Sequence, residues 1–164
     1  MNNYEFWENY NKTIKDKIKK LCHDKKELYI DLHMHSNYSA DGKQSLKQIL
    51  ETTKEKGFDI ISITDHDTLK VYDELYEIVS KGFTSPIIIP GIELTIDNRE
   101  YGNQCHLLEL FINPKDSIMM EDVLKNYRAM FNRSKIQFER LNFNLTIQEI
   151  LKKHNIYISY EEYK

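Results

Sequence analysis

The sequence predicts an α/β fold in which parallel strands alternate with helices. Apolar runs of strand length occur at residues 28–35, 58–64 and 86–94. The two intervals between them, at residues 45–56 and 68–81, show the three- and four-residue spacing of helices that bury one face. Continuous apolar strands separated by amphipathic helices are typical of a buried parallel sheet, so we expect that arrangement here.

Length and composition indicate one globular domain. The 164 residues are 40% apolar and 30% charged, and eleven Tyr and seven Phe supply core material. A net charge of −3 argues against broad electrostatic binding of nucleic acid, which leaves nucleic acid only as a substrate. No apolar run approaches the roughly 18 residues of a membrane span, and the polar amino terminus does not resemble a secretory signal. We therefore expect a cytoplasmic protein that does not engage a membrane.

Residues 1–27 are predicted to form a separate amphipathic helix ahead of the main domain, residues 28–164. Apolar side chains recur along one face of this helix: Trp7, Tyr10, Ile14, Ile18 and Leu21. Lysines mostly occupy the other side. We expect the helix to pack on the domain or on a partner. A basic helix on a membrane surface is the alternative, and acidic residues in the same segment weigh against it.

Capping residues and glycines place the first two helices of the main domain. Ser45 is positioned as the N-cap of the first helix, and Gly57 stands where that helix should stop. Asp67 is similarly placed to cap the second helix, with Gly82 beyond its end. The two cysteines of the chain do not form a disulfide framework, and we expect buried or incidental thiols.

The later part of the chain continues with one strand and then helices. A fourth strand is predicted at residues 104–112, and a long helix at residues 119–141. A capping box at residues 146–149 opens a short helix that runs to about His154. Residues 156–160 are expected to form a short strand or a loop.

Histidines and carboxylates follow the predicted strands. His33 and His35 are two apart on the first strand, so both project from one face and could bind one metal ion. Alone, this pair is a weak signal. His66 follows the second strand and Glu93 ends the third, and parallel α/β proteins place their active sites at these carboxyl ends.

Further residues fit the same site, and several of the candidate residues have simpler explanations. Asp41 lies in the loop after the first strand. His106 fits if its strand begins near residue 101 or if a ligand sits in mid-strand; otherwise it is a hydrogen-bonded core histidine. Asp65 and Asp67 could be helix caps, and Glu93 an exposed acid. Taken together, these residues predict a multinuclear metal site, because burying so many of them without a ligand would be costly.

The order of these motifs resembles that of a known family. The motifs are Asp31-Leu32-His33-Met34-His35-Ser36, Ser39-Ala40-Asp41-Gly42, Ile63-Thr64-Asp65-His66-Asp67-Thr68, Pro90-Gly91-Ile92-Glu93 and His106-Leu107-Leu108. They are similar to those of the PHP (polymerase and histidinol phosphatase) family, and most of all to its stand-alone metal-dependent phosphoesterases. The resemblance implies a distorted (β/α)7 barrel, similar to a TIM barrel, with up to three Zn, Mn or Fe ions in its carboxyl-end mouth.

The resemblance also implies roles for individual residues. It assigns six side chains as metal ligands: His33, His35, Asp41, His66, Glu93 and His106. Glu93 would bind one ion together with the first two histidines and share another with His106, while Asp41 and His66 would hold a second ion. Asp65 would support catalysis by orienting a ligand or positioning a proton.

The implied activity is hydrolysis of a phosphomonoester or phosphodiester by a metal-bridging hydroxide. The substrate could be a nucleotide or an oligonucleotide end. Two alternatives stay open. One is a non-catalytic structural or regulatory module of a larger protein. The other is amidohydrolase chemistry, which would require a bridging lysine in the barrel, whereas the nearest lysines, such as Lys81, lie at a predicted helix end.

The sequence also departs from the family pattern. A further histidine after the fourth strand and a late Asp-x-His pair are expected in the family and are absent here. A (β/α)8 barrel needs about 250 residues. We therefore expect the amino-terminal portion of a barrel, weak or inactive alone, which is completed by the rest of a longer chain or by a partner subunit.

Overall fold

A computed structural model of the chain describes residues 2–98 and 103–140. Its elements follow the order α1 (Asn3–Asp24), β1 (Ile30–Met34), α2 (Leu46–Glu55), β2 (Ile60–Ile63), α3 (Val71–Ser80), β3 (Ile87–Asn98), β4 (Asn103–Leu110) and α4 (Ser117–Arg140). The chain divides into two compact units, Met1–Val123 and Leu124–Lys164. All four strands lie in the first unit. The elements predicted at residues 146–160 lie outside the described residues.

The four strands form one sheet in the order β1-β2-β3-β4. The predicted parallel arrangement is confirmed for β1, β2 and β3. β4 pairs antiparallel with β3, because the connection between them is too short for the crossover that a parallel strand requires. The fold is therefore mixed α/β with a sheet that corresponds to half of a barrel, in line with the partial barrel that was predicted; residues 2–98 and 103–140 do not form a complete (β/α)7 barrel.

One face of the sheet packs against α2 and α3. The strands contribute Ile61, Ile63, Ile88 and Ile92 to this core, and the helices contribute Leu46, Ile49, Leu50, Val71, Tyr72 and Leu75. The predicted caps explain where α2 begins and ends. The Ser45 hydroxyl accepts a hydrogen bond from the Gln48 N–H, and Gly57 adopts φ +75° just beyond the helix.

The other face of the sheet is covered near its amino end by α1. Ile14 is buried there against Ile60 and Ile89. The Tyr10 hydroxyl donates a hydrogen bond to the Ile88 carbonyl at 3.0 Å. The Asn11 amide donates to the carbonyls of residues 111 and 112, at 3.1 and 2.9 Å. The prediction that the leading helix packs on the domain is confirmed. We call this face, which also carries Glu93 further along β3, the inner face.

Asp67 does not cap α3 as the sequence suggested. The N-cap position is Lys70, and no side chain caps this helix. Asp67 instead has a positive φ of 49°, and its carboxylate accepts a hydrogen bond from the Thr95 N–H at 2.9 Å. The aspartate therefore ties the loop after β2 to β3, a long-range contact that local cap statistics do not reveal.

Surface features agree in part with the predictions. Cys22 and Cys105 are free and exposed, so the buried alternative for these thiols is wrong. His23, on α1, is exposed as expected. No helix among residues 2–98 and 103–140 is long and apolar enough to cross a membrane.

Tyr72 joins β2 and β3 near the carboxyl end of β2. Its hydroxyl lies 2.8 Å from the Ile63 carbonyl and 2.6 Å from the Gly91 carbonyl. It also accepts a hydrogen bond from the Gly91 N–H at 2.6 Å. Burial raises the pKa of the phenol, so Tyr72 keeps the proton that it donates. Because Gly91 lies two residues before Glu93, this contact also fixes the strand that carries the central carboxylate of the site.

Replacing Tyr72 with Phe should lower the free energy of unfolding by about 1–3 kcal/mol, because buried backbone groups lose their partner. Urea unfolding monitored by circular dichroism measures this loss. Tyr76→Phe on the same helix is the control, since the Tyr76 ring packs edge-on against Phe6. An equal effect of both substitutions would contradict a special role for the Tyr72 hydroxyl.

An ion pair joins the end of α1 to the start of β2, at the amino end of the strand. Lys25 Nζ lies 2.5 Å from Asp59 Oδ1, and the other oxygen of Asp59 accepts the Tyr29 N–H at 3.2 Å. The hydrogen bond from Lys25 is the main cause that lowers the pKa of Asp59 below its ordinary value of 3.8. The charged form of Asp59 is therefore favoured in the folded state.

We expect a pH-dependent loss of stability in Lys25→Met. A lowered carboxyl pKa contributes stability that is complete above pH 3.8 and disappears as the pH falls through the folded-state pKa. The wild type should therefore exceed Lys25→Met in stability at neutral pH and lose that advantage in acid. Unfolding curves measured between about pH 7 and about pH 2.5 test this expectation, because that range includes the ordinary carboxyl pKa. Lys47→Met, which removes an exposed pair with Glu51, should show little difference at any pH.

Candidate metal centre

The structure brings all six predicted metal ligands together at the carboxyl end of the inner face. They come from β1, from the loops after β1 and β2, from β3 and from β4: His33, His35, Asp41, His66, Glu93 and His106. Glu93 is 3% exposed, so the alternative of an exposed strand-end acid is wrong.

A β-bulge in β1 orients the first histidine. Asp31 pairs with Ile61 and Met34 with Ile63, so two residues of β1 lie opposite the single residue Ser62. The bulge takes the His33 N–H out of the strand ladder, and the Asp31 carboxylate accepts it at 3.0 Å. Asp31 therefore stabilises the irregular backbone that turns His33 toward Glu93.

Glu93 is the centre of the cluster, and its two oxygens face different histidines. Oε2 lies 2.7 Å from Nε2 of both His33 and His35, and 3.5 Å from Nε2 of His66. Oε1 lies 2.8 Å from Nδ1 of His106. Burial alone would raise the pKa of Glu93, but the contacts with His33 and His35 and the nearby charge of His66 lower it below its ordinary value.

Asp41 forms a second centre beside the first. Its Oδ2 lies 2.8 Å from His35 Nδ1 and 3.6 Å from His66 Nε2. Its Oδ1 accepts a hydrogen bond from the Ser39 hydroxyl at 2.7 Å. Partial burial acts to raise the pKa of Asp41, but the hydrogen bonds from Ser39 and His35 prevail and lower it to about 2. The carboxylate is therefore charged throughout the neutral range.

The ligand atoms fall into three overlapping groups. Within each group they lie within 4.8 Å of one another: His33, His35 and Glu93; His35, Asp41 and His66; His66, Glu93 and His106. The first group matches the set implied by the resemblance. The geometry adds His35 to the second group and His66 to the third, so these two histidines connect neighbouring groups.

The donor chemistry of these groups fits divalent metal ions. Ligand atoms about 2.0–2.2 Å from one tetrahedral ion lie roughly 3.3–3.5 Å apart. His33 Nε2 and His35 Nε2 lie 3.1 Å apart and face the same carboxylate oxygen. Such convergence of imidazole nitrogens on a carboxylate suits a divalent metal ion.

Asp65 acts on the site indirectly. It is 1% exposed, and its two oxygens accept hydrogen bonds from the backbone N–H and the hydroxyl of Ser36, both at 2.6 Å. Burial raises the pKa of Asp65 despite these hydrogen bonds. Because Ser36 directly follows His35, the carboxylate fixes the backbone beside one of the candidate ligands.

His106 reaches the cluster because β4 runs antiparallel to β3. It is the fourth residue of β4 and lies opposite Thr95. The first half of an antiparallel strand lies beside the carboxyl end of its neighbour. This geometry decides between the alternatives for His106, because the histidine is in mid-strand and contacts Glu93 instead of lying hydrogen-bonded in the core.

A compact loop joins β1 to α2 and includes two serines that the sequence analysis did not single out. The Ser36 carbonyl accepts a hydrogen bond from the Ser39 N–H, and the Ser39 carbonyl accepts one from the Gly42 N–H. A Cβ atom on Gly42 would lie only 1.8 Å from the Ser36 carbonyl oxygen. Glycine is therefore required here by close backbone contact. The spacing of the serines relative to Asp41 was the available signal.

Comparison with known proteins is consistent with this geometry. A family model described as PHP domain matches residues 31–159. The chain belongs to the PHP domain family. The match begins at Asp31, the first residue of the motif that contains His33, and it includes all six candidate ligands of this PHP domain.

Two curated relatives match parts of the PHP domain. A phosphoribosyl 1,2-cyclic phosphate 1,2-diphosphodiesterase from Eggerthella lenta is 31% identical, over 49% of this chain and 29% of that protein. An uncharacterized protein from Methanocaldococcus jannaschii is 29% identical, over 51% of this chain and 50% of that protein. The chain thus matches half or less of the length of these relatives.

Two solved structures resemble the PHP domain. The first, from Bifidobacterium adolescentis, is assigned as a metal-dependent phosphoesterase, with a TM-score of 0.60 and 25% identity over 77% of this chain and 43% of that chain. The second is an amidohydrolase from Chromobacterium violaceum, with a TM-score of 0.51 and 19% identity over 70% of this chain and 39% of that chain. The second likeness concerns the fold alone.

Gly42→Ala should disturb the loop that carries Asp41, since the added methyl group overlaps the Ser36 carbonyl. We expect a loss of about 2 kcal/mol or more in unfolding free energy, together with shifted NMR signals of the His35 and His66 rings. Gly57→Ala is the control, because its Cβ meets no atom within 4 Å and only the positive φ strains it, by about 1–2 kcal/mol. Unchanged ring signals in Gly42→Ala would contradict the expectation.

Proposed function

We propose that this PHP domain is a metal-dependent phosphoesterase whose site is built around Glu93. The carrying observation is that one buried carboxylate contacts His33, His35, His66 and His106 through both of its oxygens. Membership of the PHP domain family and the names of two relatives support the reaction class. Because the chain matches only part of each relative, the activity of the whole protein is part of the proposal.

The six clustered side chains are proposed to bind up to three divalent ions of Zn, Mn or Fe. When bound, such ions lower the pKa of a water molecule and neutralise phosphate oxygens. The chain's own contribution is to keep the two carboxylate ligands charged. The lowered pKa values of Asp41 and Glu93 keep both carboxylates available for a cation at neutral pH.

The proposed substrate is a phosphomonoester or a phosphodiester, such as a nucleotide or an oligonucleotide end. Access to the site favours a small or terminal group. The His33 and His106 side chains are 49% and 47% exposed, so solvent reaches the cluster from both sides of Glu93. The net charge of −3 disfavours a long polyanion held by general electrostatic attraction.

Asp65 is proposed to support this reaction as a positioning residue. Both of its oxygens are occupied by Ser36, so it does not face a substrate directly. By fixing Ser36 it holds His35 in the orientation in which one nitrogen faces Glu93 and the other faces Asp41. Such supporting contacts around metal ligands usually change metal affinity about 10–100-fold when they are removed.

Additional protein is proposed to complete the site. The three ligand groups share His35, His66 and Glu93, so only six side chains are available for up to three ions, whereas a catalytic zinc site has three protein ligands and one position for water. β1 and β4 are the outer strands of the described sheet, so neighbouring strands could pair there. The rest of a longer chain is the favoured source, and a partner subunit is the alternative.

The proposed function predicts that the protein, together with the additional strands that complete its site, binds Mn²⁺ and hydrolyses p-nitrophenyl phosphate or bis-p-nitrophenyl phosphate. Glu93→Ala and His66→Ala should each lower metal content and reduce turnover more than about 100-fold, because each residue belongs to two ligand groups. Elemental analysis and absorbance assays with added Mn²⁺ give the two measurements. His23→Ala, an exposed histidine on α1, is the matched control and should behave as the wild type.

The outcomes separate the candidate functions. Metal binding that depends on Glu93 and His66, without turnover of either ester, would favour a structural or regulatory module. If a longer protein that contains the remaining strands also lacks metal and turnover, the proposal is wrong. Turnover that survives in both variants would place the reaction at another site.

A further inference from the structure

Ser39 connects two of the loops that carry candidate metal ligands. Its side chain is almost completely buried, with the residue 4% exposed. The hydroxyl donates a hydrogen bond to Asp41 Oδ1 at 2.7 Å and accepts one from the His66 N–H at 3.2 Å. The first contact lies within the loop after β1, and the second crosses to the loop after β2.

The two contacts together fix the direction of the hydroxyl proton. A serine hydroxyl has one proton to donate and two lone pairs that accept. The His66 N–H can only donate, so it must meet a lone pair. The charged carboxylate of Asp41 can only accept, so it receives the proton. Rotation of the hydroxyl would break at least one of these contacts.

This arrangement distinguishes the two oxygens of Asp41. Oδ1 is engaged by the Ser39 hydroxyl, whereas Oδ2 faces His35 Nδ1 and His66 Nε2. Without Ser39, a carboxylate that is 54% exposed at its side chain could rotate and offer either oxygen or both. The hydroxyl therefore selects one oxygen of Asp41 for the side that faces the histidines.

We propose that Ser39 is a positioning residue. It makes Asp41 a ligand through one oxygen only and fixes the position of Asp41 relative to His66. The inference rests on the proposed function, since it assigns a role within the same metal site. It concerns the second ligand group, which consists of His35, Asp41 and His66. Neither hydrogen bond of the Ser39 hydroxyl involves the group of His33, His35 and Glu93 directly, although His35 belongs to both groups.

If the Ser39 hydroxyl served only to shape the loop, its removal would disturb the loop itself. The turn of the loop is closed by backbone hydrogen bonds, from the Ser39 N–H to the Ser36 carbonyl and from the Gly42 N–H to the Ser39 carbonyl. These bonds persist when the hydroxyl is removed. Ser39→Ala should therefore keep the loop and the fold while it frees the Asp41 carboxylate.

Calorimetric titration of metal-free protein with Mn²⁺ tests the inference without relying on activity. Ser39→Ala should weaken one binding step roughly tenfold and leave any other step within about twofold. Ser39→Thr, which retains the hydroxyl, should restore most of that affinity. Ser45→Ala is the matched control: it also removes a serine hydroxyl that accepts a backbone N–H, but at the N-cap of α2. It should bind Mn²⁺ as the wild type does.

A double-mutant cycle identifies the residue through which Ser39 acts. In an Asp41→Ala background, Ser39→Ala should cause no further loss of Mn²⁺ affinity, because the carboxylate that it orients is already absent. Melting curves followed by circular dichroism check that Ser39→Ala is folded and unfolds within a few degrees of Ser45→Ala. The cycle remains decisive if the threonine does not fit the buried position.

The results distinguish this inference from the proposed function. Wild-type affinity in Ser39→Ala, or independent losses in the double variant, would overturn the role of Ser39 while leaving the phosphoesterase proposal intact. A wild type that binds Mn²⁺ but hydrolyses neither ester would count against the phosphoesterase alone. If neither this chain nor a longer protein that contains the remaining strands binds Mn²⁺, both are contradicted.

Discussion

Burial of the Glu93 carboxylate is the constraint on which the rest of the site depends. A buried charge is costly unless polar partners replace the water that it loses. Here the partners come from β1, from the loop after β2 and from β4, and each approaches a defined oxygen of Glu93. The bulge in β1, the antiparallel turn into β4 and the Tyr72 contact at Gly91 all serve to bring these groups to one carboxylate.

The inner face of the sheet has two chemically different halves. Near the amino ends of the strands, Ile60 and Ile89 pack against Ile14 of α1. Toward the carboxyl ends the same face carries the histidines around Glu93. The apolar half gives the strands a rigid base, and this rigidity lets several polar groups meet within hydrogen-bond distance. Stability and site chemistry are thus separated along the strands, as in other α/β proteins with sites at the carboxyl edge.

Local patterns in the sequence predicted most elements, because strand runs, the Ser45 cap and the Gly57 stop depend on neighbouring residues. Strand ends that share an edge indicated His33, His35, His66 and Glu93, and the family resemblance implied the full set of six with Asp41 and His106. The sequence did not reveal the bulge beside His33, the contact of Asp67 with Thr95, or the serines that join loops. Each depends on residues distant in the chain or on a ladder irregularity that no short pattern encodes. The resemblance implies a distorted (β/α)7 barrel, of which the described sheet forms half, as expected for a portion of that barrel.

The strands lie in the sheet in the same order as in the chain, and this order governs how the site is assembled during synthesis. Amino-terminal segments leave the ribosome first during synthesis, although a domain generally folds as a unit. His33 and His35 therefore emerge first and His106 last of the six. No ligand group can be complete before its last member emerges, which is His66 for the second group, Glu93 for the first and His106 for the third.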